Sequence, residues 1–216
     1  MLKKMNLPNK LTLLRIALVP FVIAAMLIEF PFHYTAAGLL FGAAALTDAF
    51  DGKIARQQNL ITDFGKFADP LADKILVISA LVCFVKAGLS GAVPLSLIIF
   101  REFAVTSIRL VAASRGKVIA ANIWGKVKTV TQIVAIVSIF VMMTALDIIS
   151  LVMISRTLPL SALSDCLTSN GDRALICQIY GIFNIISQVM MWIIALITII
   201  SGVIYLKDNR EVIADM

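Results

Sequence analysis

Residues 47–74 read TDAFDGKIARQQNLITDFGKFADPLADK. Inside an otherwise oily chain this stretch sets four of its five aspartates in two pairs, Asp48 with Asp51 and Asp69 with Asp73. Spacings of three and four residues put the members of each pair on one face of a helix. The stretch therefore predicts two helices joined by the short polar connection QQNLITDFG. Four converging carboxylates in or near a bilayer repel one another and are costly to bury, so they need cations to share. Oxygen-only ligands suit Mg²⁺, Mn²⁺ or Ca²⁺. Carboxylates bridging two such ions form a clamp that neutralises both the attacking and the leaving oxygen of a phosphoryl displacement. A solvated acidic loop is the plainer alternative, but it needs neither glycines at fixed offsets nor aspartates spaced on helical faces.

The rest of the chain sets that stretch in lipid. Hydrophobic residues make up 60% of the 216, charged residues 15%, and the mean hydropathy is +0.98, well outside ordinary soluble domains. A bilayer span takes about 20 mostly apolar helical residues. Six runs of about that length occur, near 11–30, 35–55, 70–87, 92–114, 126–147 and 178–206. Nothing alternates with period two, so the fold class is all-α: a polytopic membrane protein of six transmembrane helices, one domain over residues 1–216. The basic N-terminal MLKKMNLPNK leads to no small-residue cleavage site and reads as a retained, short amphipathic segment. The net charge of +6 is scattered between apolar runs. That distribution points to anionic lipid and phosphate substrates and away from nucleic acid. Lys3, Lys4, Lys10, Lys53, Arg56, Lys66, Arg115, Lys117, Lys126, Lys128, Lys207 and Arg210 fall on one side of this plan. By the positive-inside rule both termini and the aspartate stretch are cytoplasmic.

Local signals fill in the plan. Asp69 before Pro70 predicts a helix N-cap with proline in the first turn. Gly38 and Gly42, in GLLFG, read as a close helix-packing pair. Arg101, Glu102 and Arg109 interrupt the apolar run of the fourth span, with Glu102 and Arg109 on a shared face and Arg101 about 100° round from Glu102. Charges at that depth turn toward a bundle interior or a wet cavity, and for Glu102 an internal ion-pair network is the plainer reading. Residues 148–177 form the one long connection, expected on the outer side, where Cys166 and Cys177 are either bridged or free. His33, the only histidine, reads as an interfacial residue, and a histidine relay or zinc site has no basis.

Asp48, Asp51, Gly52, Ala55, Arg56, Gly65, Asp69 and Asp73 fit D-x2-D-G-x2-A-R-x8-G-x3-D-x3-D without departure. That pattern resembles the signature of the CDP-alcohol phosphotransferases. The resemblance implies attack of an acceptor hydroxyl on the lipid-linked phosphorus of a CDP-alcohol, with release of CMP. It further implies two Mg²⁺ or Mn²⁺ ions on Asp48, Asp51, Asp69 and Asp73, with Asp73 as the base. Asp48, Gly52, Ala55, Arg56 and Gly65 would line the CMP site. Asn9 and Thr12 resemble the family's N-terminal approach to the same pocket, with helix capping as their alternative role.

REFAVTSIR (101–109) and WGKVKT (124–129) resemble the branch whose acceptor is glycerol 3-phosphate. The expected reaction is transfer of a phosphatidyl group from CDP-diacylglycerol to glycerol 3-phosphate. Arg109 and Lys126, with Arg101 less firmly, are the candidate groups for the acceptor's phosphate, because arginine suits bidentate recognition and lysine adds a point charge. Serine, inositol phosphate or phosphatidylglycerol as acceptor is the alternative within the family, and a divalent-cation transporter the alternative outside it. A homodimer is compatible with the plan.

Overall fold

Long runs of Leu, Ile, Val, Ala and Met leave backbone polar groups no partner but their own chain, and helix is the result. The computed structural model describes residues 7–58, 63–115, 123–154 and 172–210, with side chains described at 11–47, 71–72, 74–115, 123–154 and 173–210. Six helices and no strand occur among them: α1 (Leu7–Leu27), α2 (His33–Gln58), α3 (Asp63–Lys86), α4 (Ala92–Ser114), α5 (Ile123–Ile154) and α6 (Asp172–Asp208). Among the described residues α5 and residues 173–208 of α6 are long and apolar enough to cross a membrane. The other four helices are shorter in their apolar part or carry charge within it.

Two expectations need correction. The helix predicted to start at Asp69-Pro70 begins at Asp63, so both residues lie inside α3 and Asp69 is not its cap. The long connection expected at 148–177 is helical at both its ends, and residues 155–171 lie outside the described residues. The apolar DIISLVMI carries α5 on to Ile154, and α6 opens on Asp172, a favourable charge for a helix N-terminus. His33, at the start of α2, is buried within the protein. Its Nδ1 donates to the Phe30 carbonyl at 3.1 Å, and its ring lies 4.2 Å from that of Tyr34.

The chain divides into two compact units, residues 1–83 with 137–183 and residues 84–136 with 184–216. In the first, α1 packs on α2, and Val22, Ala37, Phe41, Ala44, Leu76 and Ile139 are core. Gly38 is tightly packed: a Cβ there would meet Phe140 Cβ at 3.1 Å. A Cβ at Gly42 would meet nothing within 4 Å among the described residues, so of the two expected packing glycines Gly38 is the one seen to pack closely. Thr35 and Thr144 share a hydrogen bond of 3.1 Å. Leu146 and Ile176 centre a further apolar cluster that includes Cys177. Cys177 is disulfide-bonded and Cys83 is a free buried thiol, while Cys166 lies outside the described residues.

In the second unit the C-terminus of α3 closes on a left-handed Gly88, φ +73°. Leu89 N–H donates to the Phe84 carbonyl and Gly88 N–H to the Val85 carbonyl, the paired bonds of a Schellman stop. Asn184 and Gln188, one turn apart on α6, both donate to the Gly88 carbonyl at 2.9 Å. The turn is thereby pinned to a helix nearly a hundred residues away.

Candidate active site

The aspartate stretch is helical at all four positions. Asp48 and Asp51 lie in α2, Asp69 and Asp73 in α3, and all four belong to the first unit. With about 100° per residue, Asp48, Asp51, Gly52, Ala55 and Arg56 fall within an arc of roughly 140° on α2. Gly65, Asp69 and Asp73 descend one face of α3 at intervals of four. The side chains of these eight residues lie outside the described ones, and so do those of Asn9 and Asp63. A donor set made only of carboxylates at helical spacing fits a hard divalent cation. Among the described side chains no three His, Cys, Asp or Glu come together, so any metal fit rests on this stretch.

Thr12 is fully buried at the sixth position of α1, too far inside the helix to cap it. Arg15 lies three residues on, also with no exposed surface. An arginine buried in a helix otherwise this apolar is a functional candidate by its cost alone.

The second unit holds a charged network built from three helices. Arg101 Nη1 donates to Glu102 Oε1 at 3.0 Å, and Lys128 of α5 donates to the same oxygen. Arg101 Nη2 donates to Ser201 of α6 at 2.8 Å. Lys128 and Ser201 are buried, and the Arg101 and Glu102 side chains are only 11% and 15% exposed. The side chain of Arg101 crosses α6 where Gly202 leaves room, since a Cβ there would sit 2.9 Å from Arg101 Cγ. Both terminal nitrogens of Arg101 are thus engaged within the protein.

Arg109 and Lys126 differ from this pair. Both are exposed. The Arg109 guanidinium lies over the ring of buried Tyr205, 5.3 Å from its centroid. Of the three residues predicted for the acceptor's phosphate, Arg109 and Lys126 therefore keep outward-facing cations, whereas Arg101 is built into the Glu102 network. Ser201, Gly202 and Tyr205 escaped the sequence reading. Their signal was present, because Thr198, Ser201 and Tyr205 recur at i, i+3 and i+7, a polar stripe inside an apolar helix.

The sequence model for CDP-alcohol phosphatidyltransferases matches residues 5–200, nearly the whole chain. The chain belongs to the CDP-alcohol phosphatidyltransferase family. It is similar to the CDP-diacylglycerol–glycerol-3-phosphate 3-phosphatidyltransferase of Bacillus subtilis (strain 168), 49% identical over 143 residues, which cover 61% of this chain and 74% of that one. The protein of the same name from Rickettsia bellii is 34% identical over 206 residues, 95% of this chain and 96% of the relative. A probable phosphatidylglycerophosphate synthase of Mycobacterium tuberculosis (strain H37Rv) is 45% identical over 139 residues, 61% of this chain and 64% of the relative. For a member of this family the eight-position pattern on α2 and α3 and the cations of α4 and α5 all fall inside the matched range.

Proposed function

We propose that this phosphatidyltransferase moves the phosphatidyl group of CDP-diacylglycerol to glycerol 3-phosphate, giving phosphatidylglycerophosphate and CMP. The observation that carries the reading is full-length similarity to proteins named for that reaction, together with an intact eight-position carboxylate pattern. The chain works as one catalytic domain of six membrane-spanning helices. Each helix turns large apolar side chains outward, among them Phe21, Leu39, Val82, Phe100, Val152 and Ile185, as a lipid-facing bundle requires. The excess of lysine and arginine in the even connections, the N-terminal segment and the tail supports cytoplasmic termini and a cytoplasmic site in the bacterial inner membrane. A homodimer is compatible with this arrangement.

In the reaction the acceptor's hydroxyl oxygen forms a bond to the phosphatidyl phosphorus while the bond from that phosphorus to the CMP oxygen breaks. Asp73 takes the hydroxyl proton, and CMP leaves with the bonding pair. Asp48, Asp51, Asp69 and Asp73 would hold two Mg²⁺ or Mn²⁺ ions, which when bound supply charge neutralisation at the diphosphate. Asn9, Thr12, Gly52, Ala55, Arg56 and Gly65 bind the CMP portion. Gly52 and Gly65 lack a Cβ and so let a phosphate approach backbone. Arg109 and Lys126 hold the phosphate of the acceptor, which arrives with nearly two negative charges. Arg101 supports them from within its network.

The test is CMP release by purified protein with CDP-diacylglycerol and each acceptor in turn. Turnover with glycerol 3-phosphate and not with serine or inositol phosphate is expected, lost on EDTA treatment and restored by Mg²⁺ or Mn²⁺. Turnover with another acceptor alone would overturn the assignment.

A further inference from the structure

The polar stripe of α6 is incompletely satisfied. Thr198, Ser201 and Tyr205 are each no more than 2% exposed. Ser201 accepts from Arg101, but among the described residues the buried Thr198 and Tyr205 hydroxyls have no hydrogen-bond partner, and neither does Arg101 Nε beside them. Buried polar groups are almost always paired, and in a lipid-embedded helix there is no bulk water to supply the lack. If Tyr205 served only as a ring beneath Arg109, phenylalanine would do the same work without an unpaired hydroxyl. Arg109, for its part, is exposed, and its contact among the described residues is a cation–π one, weak at such a site. Its guanidinium can therefore swing off the ring at little cost.

We propose that the Tyr205 hydroxyl is a ligand of the acceptor's phosphate, binding it together with Arg109. When a phosphate reaches Arg109, the guanidinium exchanges its ring contact for charge-assisted hydrogen bonds and uncovers the phenol. The phenol then donates to a phosphate oxygen and gains the partner it lacks in the free protein. Gly202 and the Arg101–Ser201 bond hold α6 against α4, so that Tyr205 stays beside Arg109. This inference rests on the proposed use of a phosphorylated acceptor and adds a residue of α6 to its site.

Tyr205→Phe keeps the ring and removes the hydroxyl. With purified protein and glycerol 3-phosphate varied, its KM for that substrate should rise about tenfold, the effect of losing one hydrogen bond to a charged group. The KM for CDP-diacylglycerol and the kcat at saturation should stay within twofold. The melting temperature should be unchanged or higher, because an unpaired buried hydroxyl has gone. A purely structural role for the hydroxyl predicts the reverse pattern: a lower melting temperature with both KM values alike. A glycerol 3-phosphate KM within twofold of the wild type would overturn the proposal. Wild-type turnover with glycerol 3-phosphate is judged separately. Should the wild type prefer another phosphorylated acceptor, the variant is compared on that one, and a wild type that uses only serine would refute the inference along with the reading beneath it.

Discussion

The carboxylate stretch of α2 and α3 and the charged network of α4, α5 and α6 set ionised groups into an apolar chain by different means. The first draws its four aspartates from 26 consecutive positions across one helix connection. The second takes Glu102 to Lys128, 26 residues apart, and Arg101 to Ser201, 100 apart. Carboxylates in the first are all of one sign and need something from outside to stabilise them. In the second, two cations share one carboxylate inside the protein. Carboxylates proposed to hold a ligand and charges already paired within the fold should fail differently when cut.

The largest effect is expected at Asp73. Asp73→Asn is nearly isosteric but removes the proposed base, and turnover should fall by about 10²–10⁴-fold. Because it also removes one of four like charges, the melting temperature should be unchanged or rise. Retention of more than about a tenth of wild-type rate would sink the base assignment, and a large loss of stability would make this stretch resemble the other network after all.

Glu102→Ala should show the opposite signature. It strands Arg101 and Lys128, both largely buried, without their shared carboxylate. Removing one partner of a buried ion pair costs about 3–5 kcal/mol. Thermal unfolding in detergent should show this as a clear fall in melting temperature. A variant as stable as the wild type would mean that water already screens the network.

These two sites also mark how far the sequence could be read. The aspartates, their helices and the family were legible because the information is local: spacings of three and four on a helix, fixed glycines, one short connection. Each helix among the described residues was placed, with ends that slipped where apolar sequence continued past the predicted stop, as at Ile154, or where a polar turn was taken for a cap, as at Asp69. Ser201, Gly202 and Tyr205 were not legible as partners of α4, since nothing in a linear pattern says which helix faces which. The depth of Arg15 and His33 was hidden for the same reason. Burial depends on neighbours that only the fold supplies.

Arg109→Ala tests the outward-facing side of the second network. It should raise the KM for glycerol 3-phosphate about ten- to a hundredfold, the worth of roughly 1.5–3 kcal/mol for one charge-assisted contact. Stability should barely move, because Arg109 is exposed and its described contact is with a ring rather than a carboxylate. Steady-state kinetics with each substrate varied in turn separates the outcomes. A rise in the CDP-diacylglycerol KM instead would place Arg109 in the donor site.

The smallest effects should come from α2, where the first unit packs by shape rather than charge. Gly38 and Gly42 are one turn apart and chemically identical, yet a Cβ at Gly38 would press on Phe140 at 3.1 and 3.2 Å, while at Gly42 it would meet nothing within 4 Å. The atoms pressed at Gly38 are Cβ and Cγ of the ring residue, close to backbone and unable to swing aside. Overpacking of this kind costs about 1–3 kcal/mol. Alanine returns up to about 1 kcal/mol of helix propensity over glycine. Gly38→Ala should therefore come out destabilised by about 1 kcal/mol, and Gly42→Ala neutral or stabilised by a similar amount. Neither should change either KM by more than about twofold, because neither residue touches a proposed ligand site. Unfolding curves of the two variants measured side by side provide the check. If both moved in the same direction, packing against Phe140 would not be what distinguishes them, and the contrast between a shape-packed α2 and a charge-packed α4 would lose its support.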